Sequence, residues 1–346
     1  MNLRQIAAAA GVSLTTVSLV LNGKPGVGPE TRERVARLLR DSGYTLRAPG
    51  SRTGPKNIHF LKYSKHSYLV NGNPGFVTQI IDAVDGACRE HGYHLLITAL
   101  NELDSVHLGE LLDSPSTRGA ILLGTEITNG DMAAFDRIAK PLVVVDNALP
   151  FLSFSTVTMH NEEAIFSAVD HLLALGHRHI GFLENSIPAN NDRERRDAFE
   201  RALTAAGRRF EPELVYPIFP TMDGASQSVS RLLDRGVRFP SALLANNDSI
   251  AIGALRAFKA HGLRIPEDIS LTGFDGLPFA AVSEPPLTTV SVPCGEIGRW
   301  AVHILHEQIR GRSVAPCKAR VGATLTLRES TAPYHIPREH PLLLPE

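Results

Sequence analysis

From residue 57 to residue 275, short β-rich runs alternate with amphipathic helical stretches, and this rhythm restricts the fold more than any other feature of the chain. The runs are NIHFLKY, HLLITAL, GAILLG, PLVVVD, HIGFLE, ALLANND and DISLTGFDG. Between them lie helix-periodic stretches at about 77–91, 162–175, 193–206, 224–235 and 249–261. Strands separated by helices must return in the same direction, so parallel sheets with right-handed crossovers are expected. About 270 residues exceed what one core comfortably organises. Two α/β lobes with a cleft between them follow.

Open parallel sheets bind ligands beyond the carboxyl ends of their strands. Polar residues at those ends therefore draw attention: Asp146 after PLVVV, Asn247 and Asp248 after ALLAN, and Asp275 after SLTGF. Each also suits a helix cap or a turn. Their recurrence at one structural place favours a cleft. RERRDAFERAL adds arginines early in a helix, where Arg195 or Arg196 is able to hold a carboxylate, a phosphate or sugar hydroxyls, although most of that run also fits a solvated, salt-bridging helix.

The N-terminal segment has another rhythm and another charge. Residues 1–57 hold nine Lys/Arg and three acids, a net of +6; the whole chain is −1, so the remainder is −7. Leu3, Ile6, Ala7 and Ala10 form one apolar helical face, ended by Gly11. Ser13 caps a second helix with Val17, Val20 and Leu21 inward, and Asn22-Gly23 stops it. Pro29 opens a third, with Val35, Leu38 and Leu39 as its apolar face, ending near Gly43. Two short helices joined by a glycine turn are the helix-turn-helix pattern, whose second helix enters a major groove. Its outward face carries Leu14, Thr15, Ser18, Leu19 and Asn22, short side chains that allow close approach to DNA.

Other classes find little support. The 14 histidines form no HExxH pattern, and there is no GxSxG elbow, Walker loop or GxGxxG after a strand. Cys88, Cys294 and Cys317 match no disulfide or zinc spacing. Neither a membrane span nor a secretory leader is apparent. A non-enzymatic cytoplasmic protein without cofactor or metal is expected.

LRQIAAAAGVSLTTVSLVLNG, followed by ETRERVARLLRDSGY, resembles the DNA-binding domain of the LacI/GalR family of bacterial transcriptional regulators, and the resemblance continues to about Ser330. It implies a three-helix DNA-binding head followed by a two-lobed, periplasmic-binding-protein-like α/β sensor. The implied bounds are 1–46 for the head, 47–57 for a Pro/Gly-rich linker, 58–330 for the effector-binding and dimerisation domain, and 331–346 for a tail. Within the sensor the first lobe would span about 58–160 plus 291–320, and the second about 161–290 plus 321–330. Leu14, Thr15, Thr16, Ser18, Leu19 and Asn22 would face operator DNA, with Thr31 and Arg32 near phosphates. Leu14 and Leu19 stand where many relatives carry long polar side chains, so thymine-methyl contact replaces much of the bidentate base readout. The linker's Pro49, Gly50, Gly54 and Pro55 oppose the usual hinge helix, leaving an extended or weakly helical segment whose Arg47, Arg52 and Lys56 reach phosphates or a narrow minor groove.

The resemblance also implies that Asp146, Arg195, Asn247 and Asp275 line the effector pocket, with Phe76 near its entrance. Arg195 is preferred to Arg196 because it lies four residues before Phe199, as the family's arginine precedes its aromatic residue. Val292 stands where a polar Gln is common, and Pro220 near the place of an aromatic lid. The effector would be a sugar or sugar phosphate. A homodimer on a pseudo-palindromic operator would form through first-lobe surfaces and the segment after the linker, with Ile80, Ile81, Val84 and Ala87 as candidates, although most of these also suit the core. A sensor with weak DNA binding that acts through a protein partner is the alternative, and an α/β enzyme with a DNA anchor a more distant one.

Overall fold

The computed structural model describes residues 1–44, 46, 56–66, 68–135, 138–150, 152–187, 189–312, 315–335 and 341–344. The chain divides into two compact units, residues 1–55 and 56–346. Arg47 and Arg52 lie outside the described residues, as does the rest of the linker before Lys56.

The first unit is three helices: α1 (Leu3–Ala10), α2 (Leu14–Leu21) and α3 (Pro29–Asp41). Asn2 and Gln5 cap α1 reciprocally, and Gly11 ends it at φ 63°. A left-handed residue here satisfies the last carbonyls and turns the chain sharply. The axes of α1 and α2 meet at 107°. Ile6, Val17, Val35 and Leu39 are fully buried where the three helices meet. Such a small core depends heavily on each contact and cap.

The second unit begins with β1 (Asn57–Tyr63), α4 (Pro74–Glu90), β2 (His94–Leu100), α5 (Ser105–Leu112), β3 (Thr117–Leu123), β4 (Leu142–Val145) and β5 (Ser155–Met159). It continues with α6 (Asn161–Ala174), β6 (Ile180–Asn185), α7 (Asn190–Ala205), β7 (Val215–Ile218), α8 (Met222–Asp234), β8 (Ala242–Ala245), α9 (Asp248–Ala260), β9 (Ser270–Asp275), α10 (Pro278–Ala281) and β10 (Thr288–Ser291). Then come α11 (Cys294–Ile309), β11 (Lys318–Val321) and β12 (Thr324–Thr326). One six-stranded sheet has the order β11-β5-β4-β3-β1-β2 and the other β12-β10-β9-β8-β6-β7. Every pairing is parallel except β10 with β12, which is antiparallel.

The chain crosses between the sheets three times: after β5, between β10 and α11, and between β11 and β12. Three crossovers at one side form a hinge. Strands β4 and β8 are unbroken apolar runs, as a strand covered on both faces requires. Leu142–Val145 and Ala242–Ala245 are buried throughout.

Ile80, Val84 and Ala87 are buried in the core of the protomer, with Ile81 packed against it. The face of α4 that carries Ile80, Val84 and Ala87 meets α11, which selects the core reading for these three. The segment after Ser330 is also more than an appendage. Tyr334 donates its amide to the Leu175 carbonyl, and Leu343 is buried where it bridges Phe239.

Candidate functional site

A polar cleft lies between the lobes of the second unit. Its walls are the carboxyl ends of both sheets and the first turns of α4 and α7. Asp146 follows β4 and Asp275 ends β9, with φ 63° and 112°. Positive φ is strained for a residue with a Cβ, and such strain persists where the surroundings over-determine it. Both strands turn abruptly at an aspartate, which brings a carboxyl group into the cleft. Gly276 then continues at φ 72°, where a Cβ would lie 2.6 Å from Ser291 Cα.

Arg195 rises from the second turn of α7 and is 6% exposed. Its Nε donates to Asn246 Oδ1 at 2.9 Å, Nη2 to Asp192 Oδ1 at 2.9 Å and Nη1 to Asn161 Oδ1 at 3.3 Å. The guanidinium lies over the Phe274 ring at 4.6 Å. A buried cation requires such compensation. Arg196 points elsewhere, to Glu184 at 3.2 Å and over the Phe210 ring.

Hydrogen bonds span the cleft. Asn73 Nδ2 donates to Asp275 Oδ2 at 2.7 Å, Asn191 Nδ2 to Asp146 Oδ1 at 2.7 Å and Asn190 Nδ2 to Asn147 Oδ1 at 2.9 Å. Tyr68 and Phe219 meet edge to face at 5.1 Å. Lobes joined in this way define a closed state.

Burial pushes the Asp146 carboxyl up to about 6, against hydrogen bonds from Thr125 and Asn191 and the attraction of Arg195. Burial and then Asp248 push Asp275 well above the ordinary carboxylate value. Asp248 itself sits behind the cleft, raised to about 7 by burial while Thr289 and the Leu277 amide donate to it. Desolvated carboxyl groups with few donors favour the neutral form.

Phe76, Asp146, Arg195, Asn247 and Asp275 all line the cleft. Asn247 does so while its Oδ1 caps α9 by accepting from the Ile250 amide at 2.8 Å. Pro220 lines the same space, and Val292 is buried. Sequence reasoning missed Asn73, Thr125, Asn185, Asn191 and Asp192, which complete the lining, and Asn246, which anchors Arg195. The NND run at the start of α7 was the available signal, because three polar residues there exceed what capping needs.

On the helix-turn-helix unit, Leu14, Thr15 and Ser18 are exposed on α2, while Leu19 and Asn22 are half-buried. Leu14, at 45% exposed, contributes little to the core. Thr16 serves the cap: its amide donates to Ser13 Oγ at 3.1 Å, and the two hydroxyls lie 2.9 Å apart. Asn22 Nδ2 donates to the Ser18 carbonyl at 2.9 Å. Thr31 and Arg32 are half-buried at the start of α3, where Arg32 donates to the Lys24 carbonyl.

Residues 2–46 match the model of bacterial regulatory proteins of the lacI family, and residues 169–331 match that of the periplasmic binding protein-like domain. The chain is 30% identical over 335 residues to the HTH-type transcriptional repressor CytR of Escherichia coli (strain K12), covering 95% of this chain and 96% of that protein. It is 28% identical over 336 residues to the HTH-type transcriptional regulator DegA of Bacillus subtilis (strain 168), covering 95% and 98%. Among solved structures, the transcriptional regulator CelR-cellobiose complex superposes with a TM-score of 0.72 at 29% identity, covering 95% of this chain and 99% of that one. The chain thus belongs to the lacI family of bacterial regulatory proteins and is a DNA-binding transcriptional regulator.

Proposed function

We propose that the protein is a cytoplasmic, non-enzymatic repressor whose operator affinity is set by an uncharged polyhydroxyl ligand held between the lobes. One observation carries the ligand reading. The cleft presents the Asp146 and Asp275 carboxyl groups together with Asn73 Oδ1, a buried acceptor with no partner among the described residues. A ligand there must bring donors, and sugar hydroxyls do. Arg195 is already compensated by Asp192, so a phosphate group would meet two aspartates without a free countercharge. This favours the sugar over the sugar phosphate.

Leu14, Thr15, Ser18, Leu19 and Asn22 are the proposed operator-reading residues, supported by their places on α2. Thr31, Arg32, Arg47 and Arg52 are proposed phosphate contacts. A homodimer supplies two reading heads for two half-sites. Its first-lobe contact is proposed at β2, an edge strand with Leu96 41% and Ile97 56% exposed.

Calorimetric titration with paired sugars and their phosphate esters tests the reading. The free sugar of the cognate pair should bind at least tenfold more tightly than its ester, and Asp275→Asn should weaken the free sugar by a similar factor. Preference for the ester throughout the panel would contradict it.

A further inference from the structure

A second pocket opens at the opposite end of the first lobe. It lies at the amino edge of the sheet. Lys56 immediately precedes β1, Tyr93 precedes β2, and Arg118 is the second residue of β3; His91 ends α4, while His306 and Arg310 end α11. α11 has 16 residues, a length of roughly 24 Å, and runs from beside the effector cleft to this cavity.

Charge sets the cavity apart within a body that is otherwise net acidic. Lys56, Arg118 and Arg310 have no ion-pair partner among the described residues, and the neighbouring carboxylate Glu307 faces Arg312 at 3.5 Å. The carboxyl end of α11 accounts for Arg310 through its dipole. Lys56 and Arg118 come from strands and have no such reason. Arg118 Nε is moreover buried with no hydrogen-bond partner, and a buried unpaired donor is costly.

The histidines complete the picture. The rings of His91 and His306 stack at 4.3 Å and 23°, and His306 Nδ1 is 2.9 Å from the Tyr93 hydroxyl. Two face-to-face imidazoles resist double protonation unless an anion joins them. Burial, His91 and Arg310 already hold His306 below its ordinary value, with Arg312 acting in the same sense and Glu307 opposing.

We propose that this cavity is a second ligand site, which binds the phosphate group of a small phosphorylated metabolite between Arg118, Arg310 and Lys56, with His306 donating from its ring. A phosphate monoester dianion matches three uncompensated cations better than the single charge of each DNA phosphodiester, and a recessed cavity suits a small molecule better than a duplex. The site is independent of the cleft and does not rest on the ligand proposed there.

Inorganic phosphate is the probe, titrated into the full-length protein while histidine ring resonances are followed by NMR. One saturable event should raise the His306 titration midpoint, because an anion favours the imidazolium. Arg118→Gln and Arg310→Gln should each weaken binding at least tenfold; Arg310 is exposed, so that variant keeps its fold, and Arg256→Gln on the second lobe serves as control. Equal affinity in all variants, or no saturable change at His306, would overturn the proposal. A third outcome is that phosphate has no effect while the two variants reduce affinity for non-specific duplex and its salt slope by about one. That would overturn the metabolite assignment and give the same cations to the DNA backbone.

Discussion

Asp146 combines the physical tensions of the cleft in one residue. It is 3% exposed, adopts positive φ and carries a carboxyl raised to about 6. A carboxyl whose folded pKa exceeds its unfolded value adds stability that is fully present below the unfolded pKa and is lost as pH rises through the folded one. For Asp146 that window runs from 3.8 to about 6, and the loss is on the order of 3 kcal/mol. The ligand-free wild type should therefore lose stability across this window as pH rises, and Asp146→Asn should lose less, as read from urea midpoints at a series of pH values. The position of Asp146 was legible in the sequence because polar residues recur at the carboxyl ends of several strands, where a parallel sheet binds ligands. Its burial and its partners were not, since Asn191 and Thr125 reach it from distant parts of the chain.

Among the elements, α2 shows most directly how folding and function divide a helix. Ser13 and Thr16 hold its start, Val17 and Val20 its core face, and Leu14, Thr15 and Ser18 stay outside. Ser13→Ala should destabilise the helix-turn-helix unit by about 1 kcal/mol. Leu14→Ala should leave its melting temperature unchanged while weakening operator binding at least severalfold, a split that thermal melts and DNA titrations would reveal. The periodicity of this element was fully readable, because its core repeats at i, i+3 and i+4 within eight residues.

The strand β2 was less so. HLLITAL reads as a strand, but its place in the sheet is not in its sequence: only its last residue, Leu100, is buried, because the sheet order leaves β2 at an edge. An apolar, unpaired edge invites pairing with another chain. Leu96→Asp with Ile97→Lys should shift the protein to monomers in sedimentation velocity at micromolar concentration; an unchanged dimer would place the interface elsewhere. The same holds for the α4 residues. Ile80, Val84 and Ala87 suited an interface or the core, and α11, more than two hundred residues later in sequence, covers them.

For the whole molecule, three crossovers join two lobes that are latched by Asn73, Asn190 and Asn191. A ligand that favours the closed arrangement shifts operator affinity only by its differential affinity for the two states, and the operator must shift ligand affinity by the same factor. The most direct test is the affinity of the full-length protein for its operator fragment at fixed salt, with and without a saturating cognate sugar, together with the sugar's affinity with and without operator. The account predicts a change of at least tenfold, about 1.4 kcal/mol of coupling, equal in both directions. An operator affinity that stays the same when the cleft is filled would contradict it.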